Sequence, residues 1–495
     1  MTEYQLLLYP VDATYSKQGN EFITKIYCVT KDYEKVILID KQIKPYFYVI
    51  SKTENLEYLH KKIKSLAIKE DTEIHRVLNV KKVQKYMGKK EVTALKIKVG
   101  DTKKIKLFRK IIGAWEDCEV LEADIPFIHR YLMDRKITLF HQHQVKANLI
   151  ETKENFATFE LKSITQISSE HLKPKTLAID IETNSYMQPN IKEDSIVSIS
   201  FYGSDNFKKV ITWKHYPNAP DYVQFVSGEI ELLEETKKAI DHFSPQIIVG
   251  WNSNVFDFQI IQERINKYKL ENNFGWDHSK LLIDHLRNGA DVHIAGYLMV
   301  DCNVFIRHLL AADLKTNRIN LNAVAKEMLG YGKTGDFGKK VYQIWNKGNA
   351  EELRKLSEYN LRDSELTYEI FKKIYETLLE FTKLTNIHTR SLSQMFYSQL
   401  TEWYIINNAV NQNRLIKNRP TYKEIGERNK NSFVGGFVYE PTPGLYRDIA
   451  LFDFRSLYPS IIVTHNIDPE TFNCSCCKLL PHKIRIDAVD YKFCK

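Results

Sequence analysis

No stretch of this 495-residue chain stays apolar over the roughly 18 residues that a membrane helix needs, so no membrane partner is expected. Glycine (19) and proline (14) are scarce, which excludes collagen-like and linker-dominated chains. No internal repeat or low-complexity segment occurs, so a solenoid is excluded as well. Seven cysteines are too few for a disulfide scaffold of this length. Cys28, Cys118 and Cys302 stand alone and are expected to be buried thiols, whereas Cys474, Cys476 and Cys477 cluster, with Cys494 seventeen residues further on. Paired CxxC spacing is missing, so zinc has little support; a Cys477–Cys494 disulfide stays open, although a reducing compartment would keep it broken. The start, MTEYQLLLYPVDATYSKQGNE, has neither a basic opening nor a small-residue cleavage site, and a cytoplasmic location is the expectation.

The residues that are present describe a globular chain, 43% hydrophobic and 27% charged, with a net charge of +9. It is too long for one core, and about two to four domains are expected. The positive charge is concentrated: Lys81 to Lys110 carries twelve Lys and Arg against Glu91 and Asp101. In LKIKVGDTKKIKLF the basic residues partly alternate with apolar ones, as in a strand with one solvated face. Such a face either keeps the chain soluble or tracks phosphates. Residues 1–144 read as short β-rich runs (EFITKIYCV, YEKVILID, PYFYVI) mixed with amphipathic helices such as NLEYLHKKIKSLAI. From 145 to 376, nearly continuous apolar strands (TLAIDIET, IVSISFYG, QIIVGWN) alternate with helical stretches, which argues for an α/β domain. A helical segment over about 377–418 would complete the first domain, and the polar stretch NQNRLIKNRPTYKE marks a boundary near 418, before a last unit at 419–495. The fold class expected is therefore α/β and α+β, multidomain.

Acidic residues stand where they should not. Along TLAIDIET a strand alternates its faces, so Asp180 and Glu182 point the same way from an apolar strand. A divalent cation between them would relieve both their repulsion and their burial, although a solvent-facing edge would also explain the pair. The helix EELRKLSEYNLRDSELTYEIFKKIYETLLEF carries an apolar stripe through Leu353, Leu356, Leu366, Ile370 and Ile374. Tyr359 and Asp363 fall on that stripe one turn apart, and a carboxylate there needs a cation or strong donors. In VGWNSNVFDF, Asp257 opens a helix beyond a polar turn, where a helix cap is the routine alternative.

Together, Asp180, Glu182, Asp257 and Asp363, with Tyr359 four before the last, spell a DxE / Nx3FD / Yx3D series. In order and spacing it resembles the 3′–5′ exonuclease motifs of the DEDDy type, carried on an RNase-H-like fold. Phosphodiester cleavage needs an in-line water, neutralised phosphoryl oxygens and a stabilised leaving oxygen, which two divalent ions about 3.5–4 Å apart supply. Carboxylates suit Mg²⁺ or Mn²⁺, two ions per site. The resemblance implies that Asp180 bridges both ions, Glu182 and Asp363 hold the one near the attacking water, and Asp257 holds the other largely through water. Tyr359 would orient the nucleophile and Asn252 would contact the strand.

This series, followed by FVGGFVYEPTPGLY and DFRSLYPSIIVTHNIDPETFN, resembles the family B DNA polymerases of the archaeal replicative type over nearly the whole chain. KPYFYV, DIPFIHRYLMD and the terminal KFC add to the likeness. The resemblance implies an exonuclease domain inserted after a β-rich N-terminal domain, then the beginning of a polymerase palm. LFDFRSLYPSII would place Asp453 at the end of an apolar strand, as a ligand of both polymerase ions assisted by the Phe454 carbonyl. Ser456 and Leu457 would meet triphosphate oxygens at a helix start. Tyr458 would lie under the incoming sugar, and Gly435 and Gly436 would let the backbone approach template phosphates. Where the family usually has Tyr before that glycine pair, this chain has Phe433, which puts the coupling of proofreading to synthesis in question.

The family's KxxxNSxYG and YxDTDS motifs do not occur. The chain is therefore expected to degrade single-stranded 3′ ends, and to extend a primer–template with dNTP only when a second polymerase chain completes the palm and adds fingers and thumb. A sliding clamp is a further candidate partner. Pro45, Tyr46 and Phe127 match parts of a template-uracil pocket found in archaeal relatives, although KPYFYV reads more simply as a core strand. A non-catalytic DNA-binding subunit and a freestanding DEDDy exonuclease are the alternatives; the intact acids argue against the first, and DFRSLYPSII against the second.

Overall fold

The structure is a computed structural model that describes residues 3–19, 21–53, 55–70, 73–153, 156–186, 190–286, 289–333, 340–430, 435–469, 471–472, 482–486 and 489–494. Five strands close into a barrel in the order Glu3–Gln18, His141–Thr152, Ala157–His171, Lys35–Asp40, Glu21–Val29. Closure leaves no unpaired edge, and Leu8, Val11, Ile26, Cys28, Leu38, Val145 and Ala147 are completely buried. One barrel strand, 141–152, straddles residue 144 and another, 157–171, lies beyond it, so the barrel crosses the boundary expected there, and the next sheet opens at Thr176.

A four-stranded antiparallel sheet follows in the order Asn79–Met87, Lys90–Lys98, Tyr46–Ser51, Cys118–Leu121. Helices Leu56–Ser65 and Thr102–Ile112 pack their apolar faces onto it through Leu59, Ile63, Ile105, Phe108 and Ile112. The strand expected through LKIKVGDTKKIKLF therefore ends at Lys98. Beyond it, Asp101 caps a helix by accepting from the Lys104 N–H at 3.1 Å. The three-and-four spacing of Ile105, Phe108 and Ile112 was the signal that outweighed the short alternation.

The opposite face of this sheet is covered by residues that return from far along the chain. Leu415 packs with Tyr46, Tyr48, Ala94 and Leu121, and its N–H donates to the Tyr86 carbonyl at 2.8 Å. Asn418 accepts from Ala123 N–H and donates to the Val120 carbonyl, both at 2.7 Å. The polar stretch read as a boundary near 418 is thus partly a structural strap.

The six-stranded sheet runs Val223–Phe225, Phe207–Thr212, Ile196–Gly203, Thr176–Thr183, Ile247–Gly250, Leu298–Asp301. Strand 176–183 is antiparallel to 196–203 and parallel to 247–250, the mixed arrangement of an RNase-H-like fold. Helix Ala350–Thr385 crosses one face, starting from a capping box formed by Asn349 and Glu352. With both faces covered, all of 196–203 is buried and 176–183 nearly so. The barrel and this sheet share one apolar core. They are also pinned by the buried Asp12 carboxylate, which accepts from His388 Nε2 at 2.7 Å and Gly296 N–H at 2.8 Å.

Residues 435–454 form no helix or strand, and the apolar strand expected to end at Asp453 is absent. Leu451 is 93% exposed and Phe452 89%. A strand needs a hydrogen-bonded neighbour, and among the described residues none pairs with this stretch. After it come helix Leu457–Thr464 and a hairpin of His482–Ile486 with Val489–Phe493. Among the described residues no helix is long and apolar enough to cross a membrane.

Candidate active site

Asp180 and Glu182 project from the same face of the central strand, opposite Ser200 and Ser198 of the neighbouring strand. The long helix brings Tyr359 and Asp363 onto that face, both buried. Carboxylate oxygens of Asp180, Glu182 and Asp363 lie within 4.8 Å of one another. Asp257, the first residue of helix Asp257–Tyr268, is buried, and its Oδ1 accepts the Ile181 N–H at 3.1 Å. That bond ties it to the strand between Asp180 and Glu182. It stands outside the three-acid group, but its charge reaches both of those acids.

The turn that delivers Asp257 is closely fitted. A Cβ on Gly250 would lie 2.3 Å from the Ser253 side chain, so the strand can leave the sheet this tightly only with glycine. Asn252 adopts φ 62°, and its side chain is exposed. Buried Asp301 accepts the N–H groups of Asn252 (2.9 Å), Asn254 (3.1 Å) and Asn303 (3.0 Å), holding the turn against the end of its own strand.

Asn360 performs the same service for Asp180. Fully buried, it donates from Nδ2 to Asp180 Oδ2 at 2.7 Å and accepts from Ser198 Oγ at 2.7 Å. One Asp180 oxygen is thereby fixed and the other left for a different partner. Burial, then the charge of Asp363 and the other acids, pushes the Asp180 carboxyl well above the usual carboxylate range. For the same reasons Glu182 is pushed up to about 8. Burial also raises Asp257, to about 7, against the backbone N–H bonds it accepts. Asp363 is raised by burial and held back by Lys333, whose Nζ donates to Asp363 Oδ2 at 2.5 Å and to Tyr359 Oη at 2.9 Å.

A divalent ion fits this donor set. Among the described residues, Asp363 Oδ1 is buried with no hydrogen-bond partner, at a cost only a cation or donor can remove. The grouped donors are all hard carboxylate oxygens, which Mg²⁺ and Mn²⁺ prefer. Asp180 and Glu182 keep a partly exposed edge, so the group is open to solvent on one side. Asn360, Asp301 and Lys333 were not singled out from the sequence. A buried-face Asn beside Tyr359 was a readable signal, whereas Lys333 in the glycine-rich YGKTGDFGKK gave none.

The palm-type residues are placed differently. Asp453, Phe454, Ser456, Leu457 and Tyr458 are all exposed, with Ser456 the N-cap of helix Leu457–Thr464. Among the described residues, nothing lies within 4 Å of a Cβ added to Gly435 or Gly436, so packing against them does not require glycine there. Phe433, Cys474, Cys476 and Cys477 lie outside the described residues. Cys28, Cys118 and Cys302 are buried thiols. Pro45, Tyr46 and Phe127 are buried; Tyr46 donates to Asp134 and sits under the Lys96 ammonium, while Phe127 packs among Tyr15, Phe22 and Tyr131 in a separate cluster.

A second surface is strongly basic. A groove of about 910 Å³ runs between helix Thr102–Ile112 and residues 417–428. Among the described residues, its Lys52, Lys106, Arg109, Lys110 and Arg428 have no ion-pair partner, whereas Lys417 and Arg419 face Glu119 and Glu402.

Comparison with known proteins places these features. The family described as DNA polymerase family B, exonuclease domain, matches residues 118–324, and DNA polymerase family B matches residues 384–486. DNA polymerase 1 of Pyrococcus abyssi is 28% identical over 489 residues, covering 98% of this chain and 57% of that protein. The DNA polymerase of Thermococcus gorgonarius is 29% identical over 490 residues, with 98% and 56% covered. The chain thus spans a little over half the length of these relatives. In fold it resembles the family B DNA polymerase of the hyperthermophilic archaeon Pyrobaculum calidifontis, with a TM-score of 0.78 at 21% identity, covering 99% of this chain and 61% of that one.

Proposed function

Because the chain belongs to family B of the DNA polymerases, we propose that it is a 3′–5′ exonuclease that removes nucleotides from single-stranded DNA ends. The observation that carries this reading is the convergence of Asp180, Glu182 and Asp363 within 4.8 Å, with Asp257 bonded to the strand between the first two. Asp180, Glu182 and Asp363 would hold one Mg²⁺ or Mn²⁺ ion, and Asp180 with Asp257 a second. Bound there, the ions would lower the pKa of a water and neutralise phosphoryl oxygens.

The protein's own groups do the rest. Asn360 donates to one Asp180 oxygen and fixes its rotamer, which would leave the other oxygen for an ion. The Tyr359 hydroxyl, one turn from Asp363, would orient the attacking water. Asn252, exposed on its left-handed turn, would contact the substrate strand. The apolar surroundings strengthen every charge interaction at the site.

Asp453, Phe454, Ser456, Leu457 and Tyr458 would open a polymerase palm, with Gly435 and Gly436 against template phosphates. DNA synthesis would require the acid and lysine of the two motifs that these 495 residues lack, brought by a further segment or a second chain. The test is release of mononucleotides from a 3′-labelled single strand. It should need Mg²⁺ and vanish in Asp180→Ala, and an Asp180→Ala chain should add no dNTP to a primer. Hydrolysis that survives both chelation and Asp180→Ala would dispose of the reading.

A further inference from the structure

Lys333 occupies a position that the proposed chemistry does not account for. It is not a loosely held surface lysine, because the backbone leading into it is clamped. Helix Leu321–Leu329 ends at Gly330, which takes φ 85°. The next glycine, Gly332, lies so close to that helix that a Cβ would come 2.3 Å from Asn322 Oδ1. That same oxygen accepts the Lys333 N–H at 2.9 Å. Arg362, next to Asp363, donates from Nη2 to the Gly332 carbonyl at 3.3 Å and lays its guanidinium over the Tyr331 ring. These contacts aim the Lys333 side chain inwards, 19% exposed, so that its ammonium meets both Asp363 Oδ2 and Tyr359 Oη.

We propose that Lys333 is a resident cation, holding Asp363 and Tyr359 in place until a divalent ion arrives, and that the ion gains Asp363 only by displacing it. The inference rests on the two-ion reading above. A monovalent charge already on Asp363 lowers the attraction felt by an incoming ion, so the site would fill in order, the ion that uses Asp363 binding last and more weakly. Without Lys333 the acids would lose their only direct cationic partner among the described residues, and the metal-free site would be strained by its own charge. Lys333 is in these terms a positioning residue: it acts through Asp363 and Tyr359.

Calorimetric titration of Mn²⁺ into the full chain, with melting in chelator as a second readout, tests this. Lys333→Met should bind its weaker Mn²⁺ about tenfold tighter than the wild type, the scale of one unit charge at close range in a partly screened site. It should also melt lower without metal and gain more from Mn²⁺. Lys333→Gln, which keeps a hydrogen-bond donor but no charge, should behave as Lys333→Met does, and Lys333→Arg should stay near the wild type. A purely structural lysine would lower the melting point without tightening Mn²⁺ binding. Neutral variants that bind Mn²⁺ no more tightly than the wild type would overturn the inference while leaving the two-ion reading intact. A wild-type chain that binds no more Mn²⁺ than Asp180→Ala would overturn both.

Discussion

Two regions of this chain carry aspartates with the motifs of metal ligands, and they stand in opposite physical states. Asp180 belongs to a strand covered on both faces, and its carboxylate is fixed by Asn360 against a buried serine. Asp453 sits in an exposed stretch with no sheet neighbour among the described residues, beside Phe452 at 89% and Tyr458 at 78% exposure. The first site is preorganised by contacts made within the chain. The second has its sequence but none of the packing that would aim it. A motif supplies ligands; only a completed core supplies their geometry.

The sharpest way to break this contrast is to remove one aspartate from each region. Asp180→Ala should cost the exonuclease at least about 10³-fold in rate, some 4 kcal/mol of transition-state stabilisation. Asp453→Ala should leave that rate unchanged. Single-turnover release from a labelled 3′ end measures both, and a large loss in Asp453→Ala would mean that the regions are coupled. Next in size is Asn360→Ala, which leaves Asp180 Oδ2 and Ser198 Oγ without their buried partner. It should lower stability by about 1–3 kcal/mol in urea unfolding. It should also slow hydrolysis about 10–100-fold, as expected for a group that orients a ligand.

The two regions also differ in how far the sequence revealed them. The strand carrying Asp180 and Glu182 was legible because alternation and continuous apolar character agree with a covered sheet. The helix face carrying Tyr359 and Asp363 was legible from a stripe of period 3.6. Lys333 was not, because its role depends on a backbone clamp made by Gly332, Asn322 and Arg362, far apart in sequence. The helix Thr102–Ile112 was half hidden, since lysines flanking isoleucine and phenylalanine fit two periods over a short window. LFDF has strand propensity in plenty, yet propensity cannot form a strand without a partner. The barrel's extension to His171 followed from the pairing of 157–171 with 141–152 and with 35–40, which no local pattern contains.

The buried charges predict opposite responses to pH. Glu182 has a folded pKa of about 8 against an ordinary 4.5, and Asp257 about 7 against 3.8. Groups raised on folding contribute stability that is fully present below the unfolded pKa and lost as pH rises through the folded one. The metal-free chain should therefore weaken between about pH 4 and 8, and saturating Mg²⁺ should flatten that limb. Away from the site, burial lowers His129 to about 3 from 6.5 and His143 to about 4. Their contribution is present above pH 6.5 and lost as pH falls towards 3, and Mg²⁺ should leave that limb alone. Melting curves across pH, with Mg²⁺ and with chelator, separate the two. Equal Mg²⁺ effects at pH 5 and pH 8 would contradict the assignment of the alkaline limb to the acid cluster.

The smallest effect concerns the basic groove, which lies on neither of the aspartate regions. Lys106, Arg109 and Lys110 project from helix Thr102–Ile112 into a groove where, among the described residues, they have no carboxylate partner. Uncompensated charge of this kind costs little at a solvated surface, but it favours a polyanion by releasing that polyanion's counterions. Each phosphate neutralised on a single strand contributes about 0.7 to the slope of log affinity against log salt. Replacing all three by alanine should lower that slope by about 2 if all three meet phosphates, and leave it unchanged if the groove only keeps the chain soluble. The exonuclease rate on a short oligonucleotide at saturation should not move, because the acids and Asn360 are untouched. Fluorescence anisotropy of a labelled single strand over a salt series distinguishes the outcomes. Loss of affinity with an unchanged slope would point to a fold defect rather than to lost phosphate contacts.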